Sequence, residues 1–194
     1  MGKGRFEAFS DGVIAIIITI MVLELKVPHE AGIEALRPLL PVFLSYVLSF
    51  VNIGIYWNNH HHLVHTLKRV SGPILWANLH LLFWLSLLPF TTGWMGENHF
   101  ATVPIILYGV VLLMCGVAYY ILQCTIVASQ GSESLLAQAI GADWKGKASP
   151  ALYLIALLVA RWAPAVAIGV YVLVAMMWLL PDRRIERALA RDIP

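Results

Sequence analysis

Four histidines lie close together in the stretch HHHLVH, which supplies His60, His61, His62 and His65. His61 and His65 are four residues apart, and this spacing would let two zinc ligands share one face of a helix. No Cys, Asp or Glu lies between Tyr56 and Lys68 to complete such a site. We therefore predict that no metal binds here. A hydrogen-bonding cluster near the membrane surface, able to titrate near neutral pH, suits these histidines better.

A carboxylate opens the first apolar segment of the chain. Asp11 and Glu24 bracket an uncharged run of only twelve residues, Gly12–Leu23, which covers about 18 Å as a helix. The hydrocarbon core of a bilayer is about 30 Å thick. Ionisable side chains at membrane depth face a bundle interior or a water-filled path. Asp11 is therefore expected to face neighbouring helices.

Helical spacing places four residues of this run on one stripe, which consists of Ile16, Thr19, Ile20 and Leu23. At about 100° per residue, Asp11 lies roughly 140° from Ile16 and so nearly opposite the stripe. A stripe of this kind is typical of packing in a helical core, and it would also suit the wall of a narrow apolar path. The residues alone leave both interpretations open.

Composition decides the broad class of protein. Hydrophobic residues make up 60% of the 194 residues, charged residues only 12%, and the mean hydropathy is +0.78. Soluble domains carry about twice this share of charge, so the chain is expected to be an all-α membrane protein. The basic residues are spread over loops and tails rather than clustered with aromatic residues, which argues against nucleic-acid binding.

The apolar runs predict one domain, residues 1–194, with six transmembrane helices. Their expected ranges are about 5–26, 33–61, 70–95, 101–128, 149–161 and 164–180, followed by a charged tail over 181–194. With six spans, ten of the thirteen lysines and arginines fall on the side of the N-terminus. The excess of positive charge on cytoplasmic segments of membrane proteins then places both termini in the cytoplasm.

Three sequence blocks carry a resemblance to a known family. The first helix begins with RFEAFSD (Arg5–Asp11), which matches the pattern R-x-x-x-F-S-D. The block YWNNHHHL (Tyr56–Leu63) is similar to a W-x-x-H-H pattern that ends a second helix, and Asn78–Glu97 is similar to a leucine-rich third helix. Together these blocks resemble the potassium channels related to the lysosomal channel called transmembrane protein 175.

The resemblance implies an architecture and a set of site residues. The first helices of the subunits would line a central pore, and a chain with a single six-helix repeat would form a homotetramer. The pore constriction would be built from Ile16, Thr19, Ile20 and Leu23. The motif and an interhelical polar network would comprise Arg5, Phe9, Ser10, Asp11, Trp57, His60, His61 and Asn78. Within it, Asp11 would pair with Arg5 or accept a hydrogen bond from histidine or tryptophan side chains of helices two and three.

The expected function is a potassium-selective channel, without enzymatic activity or cofactor, in the plasma membrane of a prokaryote. Its partners would be the lipid bilayer and permeant potassium ions. No Thr-Val-Gly-Tyr-Gly carbonyl filter occurs in the sequence, so a ring of aliphatic side chains would have to restrict the path. Two alternatives stay open, namely a proton-permeable channel of the same architecture and a histidine-dependent metal transporter or membrane enzyme.

Overall fold

The computed structural model describes residues 2–131 and 144–179, and no β-strand occurs among them. The helices are α1 (Lys3–Leu23), α2 (Leu40–His65), α3 (Gly72–Ser86), α4 (Leu88–Glu97), α5 (Thr102–Gln130), α6 (Trp144–Ala160) and α7 (Pro164–Leu179). The prediction of an all-α protein is confirmed. The predicted charged tail over 181–194 lies outside the described residues.

Within the described residues, four stretches are long and apolar enough to cross a membrane: Lys3–Leu23, Ile33–His65, Gly72–Glu97 and Thr102–Gln130. At 21 residues, α1 is about 31 Å long. The helix is longer than the uncharged run Gly12–Leu23 because it begins at Lys3 and so includes the motif residues. The described parts of α6 and α7 have 17 and 16 residues, fewer than the roughly 20 that a span usually needs. Six crossings therefore stay a prediction.

The structure differs from the predicted starts of two helices, and a proline lies near each of them. The second helix was expected from Ile33, but Ile33–Leu39 forms a 3₁₀ helix and α2 begins at Leu40. Pro41 stands in the first turn of α2, where its missing N–H costs nothing. The fifth helix was expected from about 149 because of Pro150, but Pro150 lies inside α6, whose described part begins at Trp144.

The third predicted helix, 70–95, is broken rather than continuous. It consists of α3 and α4, separated at Leu87. Pro89 has no N–H to donate to the preceding turn, and its ring crowds the carbonyl there. The Leu87 N–H instead donates to the Trp84 carbonyl at 3.2 Å, a tighter 3₁₀-type turn.

The helices pack as a bundle around α5. The first helix contacts α2, α3 and α4, while α5 packs against α3, α4, α6 and α7. Polar contacts bridge the buried core: the Ser49 hydroxyl lies 2.6 Å from the Thr92 hydroxyl and 3.0 Å from the Tyr108 hydroxyl. In addition, the Tyr171 hydroxyl donates to the Ile105 carbonyl at 3.2 Å. These contacts join α2, α4, α5 and α7 into the frame that supports α1.

Gly96 permits a close approach of α4 to α2. A Cβ atom at this position would lie 2.6 Å from the Cα atom of Val42, closer than non-bonded carbon atoms approach each other. We expect Gly96→Ala to push the two helices apart and to destabilise the protein by about 1–3 kcal/mol, as overpacking does. Thermal unfolding of the detergent-solubilised protein would measure the loss.

The matched control is Gly116→Ala in α5. A Cβ atom there would meet only the Tyr56 hydroxyl, at an ordinary 3.8 Å, and alanine is the better helix former. We therefore expect no loss of stability. Equal melting temperatures for the two variants would contradict the close α2–α4 contact.

A pore-lining candidate helix and the polar network that holds it

One face of α1 is buried against the bundle. It consists of Phe6, Ser10, Ile14, Ile17 and Met21. Their spacing of three or four residues keeps them on one side of the helix, and α2, α3 and α4 cover that side. Except for Ser10, every member is apolar, so this face provides most of the hydrophobic contact between α1 and the rest of the chain.

The stripe lies on the face of α1 that this chain leaves uncovered. Ile16 is 57% exposed, Ile20 43% and Leu23 77%, and Thr19 is also exposed. The Thr19 hydroxyl donates its hydrogen to the Ile16 carbonyl at 2.9 Å. Its oxygen keeps lone pairs that can accept, so one oxygen ligand per chain stands within an otherwise aliphatic stripe.

Phe9 belongs to the exposed side of α1. The sequence groups it with the interhelical polar network, but its side chain is 49% exposed. Seven residues, close to two helical turns, separate it from Ile16, so both side chains lie on the same side of the helix. Phe9 therefore extends the exposed apolar face toward the N-terminus.

The buried face of α1 carries a hydrogen-bonded network of three side chains, Ser10, Asn78 and His60. The Ser10 hydroxyl donates to the Phe6 carbonyl at 3.0 Å, and the Asn78 amide nitrogen donates to the Ser10 oxygen at 2.9 Å. His60 Nε2 lies 2.8 Å from the Asn78 amide oxygen. All three side chains are almost fully buried. The network joins α1, α2 and α3 at the motif end of the bundle.

The direction of each hydrogen bond in this network follows from the one that the Ser10 hydroxyl donates to the Phe6 carbonyl. Ser10 has one hydrogen, which it gives to the Phe6 carbonyl, so it can only accept from Asn78. The Asn78 oxygen is then left to accept, which requires that His60 carry its proton on Nε2. The His60 ring also stacks on the Phe6 ring, with centroids 6.1 Å apart. His60 therefore donates the hydrogen bond from Nε2 to Asn78 and serves a structural role.

Asp11 accepts a hydrogen bond from the indole N–H of Trp57 at 3.1 Å. A tryptophan of the second helix is one of the alternative partners expected for Asp11. The alternative partner, Arg5, is exposed, and no ion pair among the described residues joins it to Asp11. Six residues separate Arg5 from Asp11, which turns the two side chains about 120° apart on the helix. Trp57 therefore links the motif aspartate of α1 to α2.

A second contact between the same helices was missed by the sequence analysis. His61 Nδ1 lies 3.3 Å from a carboxylate oxygen of Glu7, and ligand atoms of Glu7, His61 and His65 all lie within 4.8 Å of one another. The sequence around the histidines, from Tyr56 to Lys68, contains no Cys, Asp or Glu. Glu7 comes from α1, far away in sequence, and only helix packing brings it close.

The other end of α1 is tied to α4 by an exposed ion pair. Lys26, just beyond the helix, donates to a Glu97 carboxylate oxygen at 2.7 Å. This hydrogen bond, together with the negative charge of Glu97, raises the pKa of the Lys26 ammonium above its usual value. The first helix is therefore held at both ends, by buried groups at one and by an exposed pair at the other.

The bundle and the two faces of α1 define a multi-pass, all-helical membrane protein. The family described as "Endosomal/lysosomal potassium channel TMEM175" matches residues 5–89. A protein named "Potassium channel" from Chryseobacterium sp. (strain P1-3) is 54% identical over 192 residues, which cover 99% of this chain and 100% of that protein. The chain therefore belongs to the TMEM175 family.

Two further relatives place the chain within this family. The crystal structure of a lysosomal potassium-selective channel TMEM175 homolog from Chamaesiphon minutus superimposes with a TM-score of 0.80 at 29% identity, covering 93% of this chain and 97% of that chain. An endosomal/lysosomal proton channel TMEM175 from Bos taurus is 35% identical over 86 residues, which cover 38% of this chain and 18% of that protein. The likeness to the bacterial structure thus extends over almost the whole bundle.

The buried network gives a direct stability test. In Asn78→Ala, the Ser10 hydroxyl and His60 Nε2 would lose their shared partner inside the bundle. A buried polar group left without a partner costs about 1–3 kcal/mol, and we expect the variant to lose at least this much in thermal or denaturant unfolding.

The exposed residue Asn58 of α2 provides the matched control. Asn58→Ala makes the same chemical change and should leave the unfolding midpoint nearly unchanged. If Asn78→Ala were as stable as Asn58→Ala, the network would not be what holds α1 to α3.

Proposed function

We propose that this chain forms a potassium-selective channel, assembled as a homotetramer around a central pore lined by α1. The observation that carries the proposal is the position of the stripe. The stripe lies on the one face of α1 that its own bundle leaves exposed, and it consists of Ile16, Thr19, Ile20 and Leu23. The relatives named as potassium channels support potassium as the permeant ion. We place the protein in the plasma membrane of a prokaryote, with both termini in the cytoplasm.

An assembly of several chains is needed because one helix cannot enclose a pore. Closed cyclic symmetry is the usual outcome for such homo-oligomers. The exposed side of α1 also carries the small residues Ala8, Gly12 and Ala15. Small residues let helices in membranes approach each other closely, so this side suits contact with neighbouring subunits beside an axis better than contact with lipid alone.

The stripe would select ions by dehydration. A ring of isoleucine and leucine side chains offers no ligands, so it forms a narrow, poorly wetted constriction that forces ions to shed water. Potassium holds its water less tightly than sodium, and partial dehydration therefore costs it less. The Thr19 oxygen, whose hydrogen is engaged by the Ile16 carbonyl, would replace part of the lost hydration. We expect modest selectivity and gating through changes in the width or wetting of the ring.

A proton-permeable channel of the same architecture is the second candidate, favoured by the name of the bovine relative. A histidine-dependent transporter or membrane enzyme fits less well, because the relatives are named as channels, and channels are not enzymes. Flux measurements on reconstituted protein, with potassium, sodium and proton gradients imposed separately, distinguish the first two candidates. Proton flux without potassium flux would overturn the proposed selectivity.

Cysteine crosslinking tests the proposed axis. In a background with the exposed Cys124 replaced by alanine and the buried Cys115 retained, Ile16→Cys should form disulfides between chains, because these side chains would meet at the pore. The control is Met21→Cys on the buried face of α1, where the side chain is 1% exposed. Dimer bands on non-reducing gels are expected for Ile16→Cys alone. Their absence, or equal crosslinking of both variants, would argue against a central pore of first helices.

Ion flux tests the constriction itself. Ile16→Asn keeps a similar size but adds an amide that water and ions can contact, so conductance should rise while the preference for potassium weakens. Thr19→Val removes a hydroxyl without much change of shape and should lower selectivity without raising conductance. Both are compared with wild type in liposomes under potassium and sodium gradients.

The control for these measurements is Ile155→Asn, the same substitution at an exposed isoleucine of α6. It should leave the ratio of potassium to sodium flux unchanged. An Ile16→Asn protein that kept the flux and the ion preference of wild type would show that the stripe does not form the constriction.

A further inference from the structure

Three potential metal ligands converge where the first turns of α1 meet the last turns of α2. Glu7 contributes a carboxylate, and His61 and His65 contribute imidazole nitrogens, with one ligand atom of each within 4.8 Å of the others. The Glu7 and His61 side chains are 25% and 40% exposed, and His65 is exposed as well. An ion from the aqueous phase can therefore reach all three ligands.

The geometry suits a tetrahedral metal ion. Zinc binds histidine nitrogen and carboxylate oxygen at about 2.0–2.2 Å, so two of its ligand atoms lie about 3.3 Å apart. His61 Nδ1 and the Glu7 carboxylate oxygen are already separated by 3.3 Å. Bringing the third ligand atom to the same spacing requires a movement of about 1.5 Å or less, well within the reach of an exposed histidine. Water would complete the four ligands.

The surroundings of the three ligands hold them in place. Trp57 stacks on the His61 ring, with centroids 6.2 Å apart, and the His61 and His65 rings meet edge to face at 4.5 Å. His61 and His65 lie at the C-terminal end of α2, where the helix dipole favours a cation, while Glu7 lies near the N-terminus of α1, where the dipole opposes one. The Lys3 ammonium, which donates to the His65 carbonyl at 2.9 Å, also opposes a cation, so we expect moderate rather than very tight affinity.

We propose that Glu7, His61 and His65 form a binding site for one divalent transition-metal ion of the zinc class. The bound ion would clamp the N-terminal turns of α1 to the C-terminal turns of α2, beside the contact between Asp11 and Trp57. The mixture of two imidazoles and one carboxylate favours zinc over magnesium or calcium, which prefer oxygen ligands alone. The site is separate from the stripe, and the proposal does not depend on which ion the channel conducts.

Zinc titration of the metal-stripped, purified full chain tests the site. Isothermal calorimetry should show one zinc ion per chain, and zinc should raise the melting temperature because it binds the folded state. Glu7→Gln and His65→Gln should each weaken zinc binding at least about tenfold, the scale on which altered metal sites lose affinity, and should abolish the thermal shift. Magnesium in excess should not compete.

His29→Gln is the matched control, because it also removes an exposed histidine but at the opposite end of α1. It should bind zinc as wild type does. The proposal is overturned if wild type binds no zinc, or if Glu7→Gln and His65→Gln both retain wild-type affinity. Neither result bears on potassium flux in liposomes, so the proposed channel function would still stand. Conversely, a protein that binds zinc but conducts no ions would contradict only the proposed channel function.

Discussion

The hydrogen bonds of one buried amide set the orientation of the first helix. Asn78 of α3 donates to Ser10 of α1 and accepts from His60 of α2. In an apolar interior, unpaired polar groups are costly, so α1 has one favourable rotation about its axis. A turn of one residue, about 100°, would break the network and also move the stripe away from the exposed face. The position of the proposed constriction therefore follows from a polar contact on the opposite side of the helix.

The two ends of α1 are held with different strength. At the motif end, the contacts are buried, and Trp57 adds a hydrogen bond to Asp11. At the other end, the pair between Lys26 and Glu97 has side chains that are 76% and 46% exposed, and pairs as exposed as this add little stability. Leu23, the most exposed aliphatic member of the stripe, lies near the weakly held end. A change in the width of the proposed constriction therefore costs the least free energy near Leu23.

Periodicity within one helix was enough to predict the two faces of α1. It placed the stripe and Asp11 on different sides, and composition predicted the all-helical membrane class. Periodicity could not show which residues of other helices lie opposite. The contact of Glu7 with His61 and the exposure of Phe9 depend on how α1 and α2 cross, and that is decided by the packing of the whole bundle. The 3₁₀ segment before α2 and the break at Leu87 depend on how individual prolines are accommodated, which hydropathy does not report.

The adjacent histidines of α2 show how one helix serves two structural tasks. Because successive side chains turn by about 100°, His60 faces the interior and donates to Asn78, while His61 faces the first turns of α1 and lies beside Glu7. His65, one turn after His61, reaches the same place. The run of histidines that reads as one cluster in the sequence is thus divided by helix geometry. One member fixes the rotation of α1 from within the bundle, and two members approach its N-terminal turns from the aqueous side. The buried contact requires an N–H at Nε2 of His60, and His61 and His65 supply the imidazole nitrogens of the proposed metal site. The same residue type thus provides a donor at one position and proposed ligands at the other.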